Sequence, residues 1–277
     1  MAVVSIARAD PIAVVAAENF YGDIVEQIGG SGVKVASILS NPDQDPHLFE
    51  ASAATARRIA RAKLFVYSGA DYDPWAERLL AASSAPSREV IEVARLVRKR
   101  AGENPHIWYD PATMPVLARR VAEVLTRLDP PRAAQYAQRL AAFEASMRWL
   151  NDRILQLRAK YAGTAVTATE PVFGYMAAAL GLEMRNLGFQ RAVMNGTEPG
   201  ASEIAAMERD LRTREVRVLL YNSQTSEALT ERVRAIARES GVPVVGVTET
   251  EPTGERYQQW MRSQLDALDR VLASGRP

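Results

Sequence analysis

The chain of 277 residues has no cysteine and only two histidines. The first absence excludes disulfides, thiolate zinc sites and cysteine nucleophiles. The second confines any argument from imidazole chemistry to His47 and His106. Charge of one sign is not in excess either. With 34 Lys and Arg against 33 Asp and Glu the net charge is +1, so no basic field points to nucleic acid or an anionic membrane. No apolar run reaches the roughly 18 residues that span a bilayer. Phosphate-loop, nucleophile-elbow and HExxH motifs are missing, and Gly29-Gly30-Ser31-Gly32 reads as a turn rather than a dinucleotide loop. Arg98-Lys99-Arg100 reads as a solvated loop.

What is present is ordinary globular composition, 47% hydrophobic and 24% charged, which excludes a disordered or low-complexity chain. Short β-rich runs at 12–16, 33–39, 64–68, 90–93, 164–168, 183–187, 216–221 and 242–247 alternate with amphipathic stretches at 20–28, 51–62, 75–82, 172–180, 202–211, 227–239 and 255–272. This alternation predicts an α/β fold with mostly parallel sheets and crossover helices. The first nine residues end in Ala7-Arg8-Ala9, the small-x-small pattern of an export cleavage site, and read either as a trimmed signal or as a plain tail.

One segment interrupts the alternation. Tyr136, Leu140, Phe143, Met147, Leu150, Ile154, Leu157 and Tyr161 recur at intervals of four and three, one stripe along a single helix. Asp129 is placed to cap it, Pro130 and Pro131 suit its first turn, and Gly163 suits a left-handed stop. A coiled-coil seam between two copies would use such a stripe. Because αβ units lie on both sides, the preferred reading is a rigid strut along two αβ lobes, 10–128 and 162–277, with 129–161 as the linking helix.

Both histidines sit in the same local setting, Asp45-Pro46-His47 and Asn104-Pro105-His106, where proline stiffens the loop that presents the imidazole. In the second half Glu170 and Glu249 each follow a predicted strand, at the carboxyl edge where open α/β sheets collect ligands; a helix-cap role competes for each, and Glu251 competes with Glu249. Two neutral imidazoles and two carboxylates carry a charge of −2 that a divalent cation would neutralise. Nitrogen and oxygen donors without sulfur fit Mn, Fe or Zn, with carboxylates leaning toward Mn and the general affinity order toward Zn. The aromatic pairs Phe173/Tyr175 and Trp108/Tyr109 read as core or pocket wall.

The blocks Ile28-Gly29-Gly30, Asp45-Pro46-His47-Leu48-Phe49-Glu50, Asn104-Pro105-His106-Ile107-Trp108-Tyr109-Asp110-Pro111, Glu170-Pro171-Val172-Phe173-Gly174-Tyr175 and Val247-Thr248-Glu249 together resemble the metal-binding solute-binding proteins of ABC importers, over nearly the whole length. The resemblance implies two αβ lobes joined by one long backbone helix. It implies one metal ion (Mn2+ or Zn2+, with Fe2+ also accommodated) bound between the lobes by His47, His106, Glu170 and Glu249. It further implies a non-enzymatic, periplasmic, monomeric protein that delivers the ion to a cognate permease in the inner membrane. Glutamate at the third position matches the manganese or iron members, and the stretch 94–103 lacks the histidine-rich loop of the zinc members. Glu249 departs from the usual aspartate by one methylene. A metal-dependent hydrolase and a surface adhesin on the same scaffold are the competing readings.

Overall fold

The structure is a computed structural model and describes residues 10–41, 49–83, 85–225 and 227–274. In the first half, β1 (Ile12–Glu18), α1 (Asn19–Gly29), β2 (Val33–Leu39), α2 (Ala53–Arg61), β3 (Leu64–Tyr67), α3 (Pro74–Ala82), β4 (Glu89–Glu92) and α4 (Val93–Leu96) alternate as the hydrophobic pattern predicts. The middle of the chain is helical, with α5 (Thr113–Leu128) followed by the 29-residue α6 (Ala133–Tyr161). The second half repeats the alternation with β5 (Ala165–Ala168), α7 (Gly174–Ala179), β6 (Glu183–Met184), α8 (Leu187–Met194), α9 (Ala201–Arg212), β7 (Leu219–Asn222), α10 (Ala228–Glu239), β8 (Val244–Val247) and α11 (Tyr257–Ser274).

Each half builds a four-stranded, all-parallel sheet, in the orders β2-β1-β3-β4 and β6-β5-β7-β8. The two orders are the same when strands are counted within each half, so strand ends with matching roles recur on both sides. Val14 and Ala16 of β1 join the central core, whereas Val15 and Ala17 pack with Ile59, Phe65, Trp75 and Ala76 on the other face. That two-residue alternation within an unbroken apolar run is what burial on both faces of a parallel sheet requires.

Helix α6 runs about 44 Å at 1.5 Å per residue. Its stripe of Tyr136, Phe143, Met147, Leu150, Ile154, Leu157 and Tyr161 is buried within the chain, in one core cluster containing residues of both sheets. The stripe thus serves as a strut packed on α1, α5 and α11, and a seam between copies is not needed to cover it. Arg153 of α6 donates to Asp266 and Asp269 of α11, each at 2.8 Å. Gly163 takes φ +80° just after the helix, as expected of the stop. Asp129 does not cap: a 3-10 turn at Pro130–Arg132 intervenes, and its carboxylate accepts instead from Tyr136 Oη (2.8 Å) and Arg132 (2.6 Å). The strand expected at 183–187 shortens to Glu183–Met184, because Asn186 at φ +59° turns the chain into α8, a helix absent from the sequence reading.

Candidate metal centre

His106 lies in the loop between α4 and α5, just before a 3-10 turn at Ile107–Tyr109, and is fully buried. Its ring is oriented by Asn104. The Asn104 Nδ2 donates to the Pro171 carbonyl at 2.7 Å, so Oδ1 is the atom that faces His106. Oδ1 accepts from the His106 backbone N–H (3.1 Å) and lies 2.7 Å from Nδ1. An acceptor there selects the tautomer with hydrogen on Nδ1 and leaves the Nε2 lone pair for a ligand, the outer-shell arrangement typical of metal-bound histidines. Tyr72 and Trp108 meet the imidazole edge-on, at centroid distances of 6.0 and 5.2 Å.

Nε2 of His106 faces Oε2 of Glu249 at 3.5 Å, and both side chains have no exposed surface. The pair crosses the seam. His106 follows the fourth strand of the first sheet, and Glu249 follows the fourth strand of the second, separated from β8 by Thr248 alone. Glu249 Oε2 also accepts from Tyr72 Oη (3.0 Å), and Oε1 accepts from Asn222 Nδ2 (2.5 Å). Gln224 Oε1 receives the backbone N–H groups of Glu249 and Thr250, while its Nε2 donates to Thr250 Oγ1 at 2.9 Å. Tyr72 is delivered by an unusual turn in which Gly69, Ala70 and Asp71 are all left-handed, at φ +76°, +50° and +65°. Such strain in non-glycine residues persists only where the surroundings fix it. Here the Asp73 carboxylate fixes it by accepting from the Ser68 and Gly69 N–H groups at 2.7 and 2.8 Å.

Glu170 follows β5, is 4% exposed, and accepts from Thr225 Oγ1 at 2.7 Å. It opens a 3-10 turn at Pro171–Phe173 without capping it through its side chain. The segment 222–225 at the end of β7 therefore holds both carboxylates, Glu249 through Asn222 and Gln224 and Glu170 through Thr225. Among the described residues no three His, Cys, Asp or Glu side chains come close enough together to hold one ion. The structure thus brings His106 and Glu249 together and holds Glu170 on an anchor of its own, Thr225. His47 lies outside the described residues.

Glu251 is separated from this group. Its backbone is gripped on both sides by Asn19, whose Nδ2 donates to Glu251 O at 2.7 Å and whose Oδ1 accepts from Glu251 N at 3.1 Å. Its carboxyl lines a different pocket with Asp23, Glu26 and Glu255, and burial, then the neighbouring Asp23, pushes it up to about 9. Glu18 and Asp73 form another buried acidic pair behind Tyr72: burial raises Asp73 to about 6 and, with Asp73 alongside, raises Glu18 well above the usual carboxyl range. Across the seam, Tyr109 Oη donates to Thr248 O (2.8 Å) and Tyr257 Oη to Trp108 O (2.7 Å), while within the second half Trp260 Nε1 donates to Thr248 Oγ1 (2.8 Å).

The residues that sequence reasoning missed are Tyr72, Asn104, Asn222, Gln224 and Thr225. Of these only Asn104 carried a signal, its place two residues before a proline-stiffened histidine.

Two parallel αβ halves fixed along one long helix, with buried imidazole and carboxylate meeting between them, define a solute-binding protein of the metal-binding class. The family model described as zinc-uptake complex component A, periplasmic (ZnuA), matches residues 14–271, and the chain belongs to that family. It is a metal-binding solute-binding protein of an ABC importer and not an enzyme. The manganese-binding lipoprotein MntA of Bacillus subtilis is 23% identical over 281 residues, 94% of this chain and 89% of that one. The periplasmic zinc-binding protein TroA of Treponema pallidum superimposes with a TM-score of 0.80 at 20% identity, covering 95% of this chain and 99% of the other. FpvC of P. aeruginosa in complex with Ni2+ gives 0.80 at 24%, covering 96% and 98%.

Proposed function

We propose that His47, His106, Glu170 and Glu249 bind a single divalent transition-metal ion between the halves, and that the protein carries this ion through the periplasm to a permease of the inner membrane. The observation that carries the reading is the buried His106–Glu249 pair, one residue from each half, with the imidazole tautomer set so that Nε2 is the ligand atom. Two buried carboxylates beside neutral imidazole need a cation, and none of the donors is sulfur. Mn2+ or Zn2+ is the cargo, with Fe2+ accommodated by the same donors. The relatives named for manganese, zinc and nickel support a divalent ion of this group. The carboxylate-rich set favours the higher coordination number of Mn2+. The working units are the lobes 10–128 and 162–277, linked by 129–161, in a monomer.

Metal analysis of purified protein after competitive loading with Mn2+ and Zn2+ tests this directly. One bound ion per chain is expected, and His47→Ala and Glu170→Ala should each abolish tight binding. Retention of stoichiometric metal by both variants would move the site elsewhere.

A further inference from the structure

Two residues beyond Glu249 the chain enters a second, differently built place. A pocket of about 360 Å3 opens between the start of α1 and the loop joining β8 to α11. It falls within the range of about 300–1,000 Å3 typical of ligand pockets. Asp23, Glu26, Glu251 and Glu255 line it, and among the described residues Arg256 is the only basic one in its lining. That cation is already engaged, since Arg256 donates to Asp23 Oδ1 at 3.0 Å, and Asp23 Oδ2 is taken by Gln27 Nε2 and the Tyr257 N–H. Glu251 and Glu255 are not so served. Glu251 is 5% exposed, yet its Oε2 has no hydrogen-bond partner, and Oε2 of Glu255 is likewise buried and unpartnered. Buried acceptors without donors are rare and costly, so these two oxygens call for a donor that arrives from outside the chain.

The geometry points to a docking pocket for an arginine or lysine side chain of the membrane permease; this rests on the carrier function proposed above. A bare metal ion is the poorer occupant, because Asp23 is already held by Arg256, Gln27 and the Tyr257 N–H, and the other carboxyl groups are spread around a pocket of about 360 Å3. Spread carboxylates around a pocket suit a larger cation that donates several N–H bonds in different directions, and guanidinium does this best. The position gives the contact a consequence. Asn19 fixes the Glu251 backbone to α1, and Glu249 lies two residues upstream on the same loop. A basic side chain drawn between Glu251 and Glu255 pulls on the segment that presents Glu249, so docking and release of the ion are mechanically linked.

The test uses the full chain and N-acetyl-arginine amide as the probe, with binding followed by calorimetry and by amide NMR shifts in metal-free and metal-loaded protein. Wild type is expected to bind the probe with shifts centred on residues 251–256 and Asn19. Glu251→Gln and Glu255→Gln should each weaken it about tenfold, the size of one lost charge-assisted bond. Glu239→Gln, an exposed carboxylate elsewhere, should leave it unchanged. The probe should also hasten metal transfer from wild type to a chelator, and Glu255→Gln should bind metal as wild type does while losing that acceleration. Equal binding by all variants, or displacement of the probe by millimolar Mg2+ or Ca2+, would overturn the pocket assignment. Metal stoichiometry of the wild type is read separately, so failure of the carrier reading and failure of the pocket give different results.

Discussion

Asn104 is the residue whose removal should most cleanly separate site chemistry from scaffold. Its side chain makes three hydrogen bonds: two accepted from His106 and one donated to the Pro171 carbonyl, next to Glu170. At about 1 kcal/mol net apiece, Asn104→Ala should cost up to about 3 kcal/mol of stability in metal-free protein. It should also weaken metal binding by about 10–100-fold, the usual cost of losing an outer-shell partner of a histidine ligand, because Nδ1 no longer has its acceptor and the ring loses its fixed tautomer. Asn104→Asp discriminates. It keeps an acceptor for Nδ1–H but sets a carboxylate oxygen against the Pro171 carbonyl, so stability should fall while affinity stays within about tenfold of wild type. Chelator competition measures affinity, and urea unfolding of the metal-free protein measures stability. If Asn104→Ala bound metal like wild type, or if both variants lost affinity equally, the role given to this amide would be wrong.

Three further outcomes follow from other parts of the fold. Asp73, at about 6 folded against an ordinary 3.8, binds its proton more tightly in the native state, and Glu18 shifts in the same direction. Their contribution is therefore full in acid and lost as pH rises from about 4 through 6, about 3 kcal/mol for Asp73 alone. Glu18→Gln, which retains a donor for Asp73 but cannot ionise, should flatten the fall in urea midpoint between pH 5 and 8; an unchanged slope would refute this. Gly32→Ala places a methyl group 2.5 Å from Tyr136 Oη, at the root of the strut, and should cost about 1–3 kcal/mol in thermal or urea unfolding; wild-type stability would show the clearance to be larger. Small-angle scattering curves of metal-free and loaded protein should superimpose, since α6 and the bonds of Tyr109, Tyr257 and Asn19 cross the seam; a clear change in radius would contradict that.

The eight strands and the strut could be read from the sequence because each rests on hydrophobic period, which burial enforces directly. The shortened β6 and the start of α8 could not, since a single left-handed Asn186 decides between strand and helix there. At the site, charged and imidazole side chains stood out by rarity and by place after strands. Glu249 and Glu251 were indistinguishable on that basis: their separation depends on Asn19, 232 residues away in sequence from Glu251, which turns the second carboxyl to another face. Tyr72, Asn222, Gln224 and Thr225 are neutral loop residues whose importance arises only from which long-range partner each one meets. A pattern along the chain carries no trace of that.

The aromatic wall has a practical corollary. Of the four tryptophans, Trp108 stands 5.2 Å from the His106 ring and stacks near Phe20, which in turn touches Trp260. The indole nearest the proposed ligand is thus fully shielded from solvent, and its emission responds to charge and to heavy or paramagnetic ions at short range. The molecule thus carries an optical gauge beside the proposed metal site, and one that needs no label.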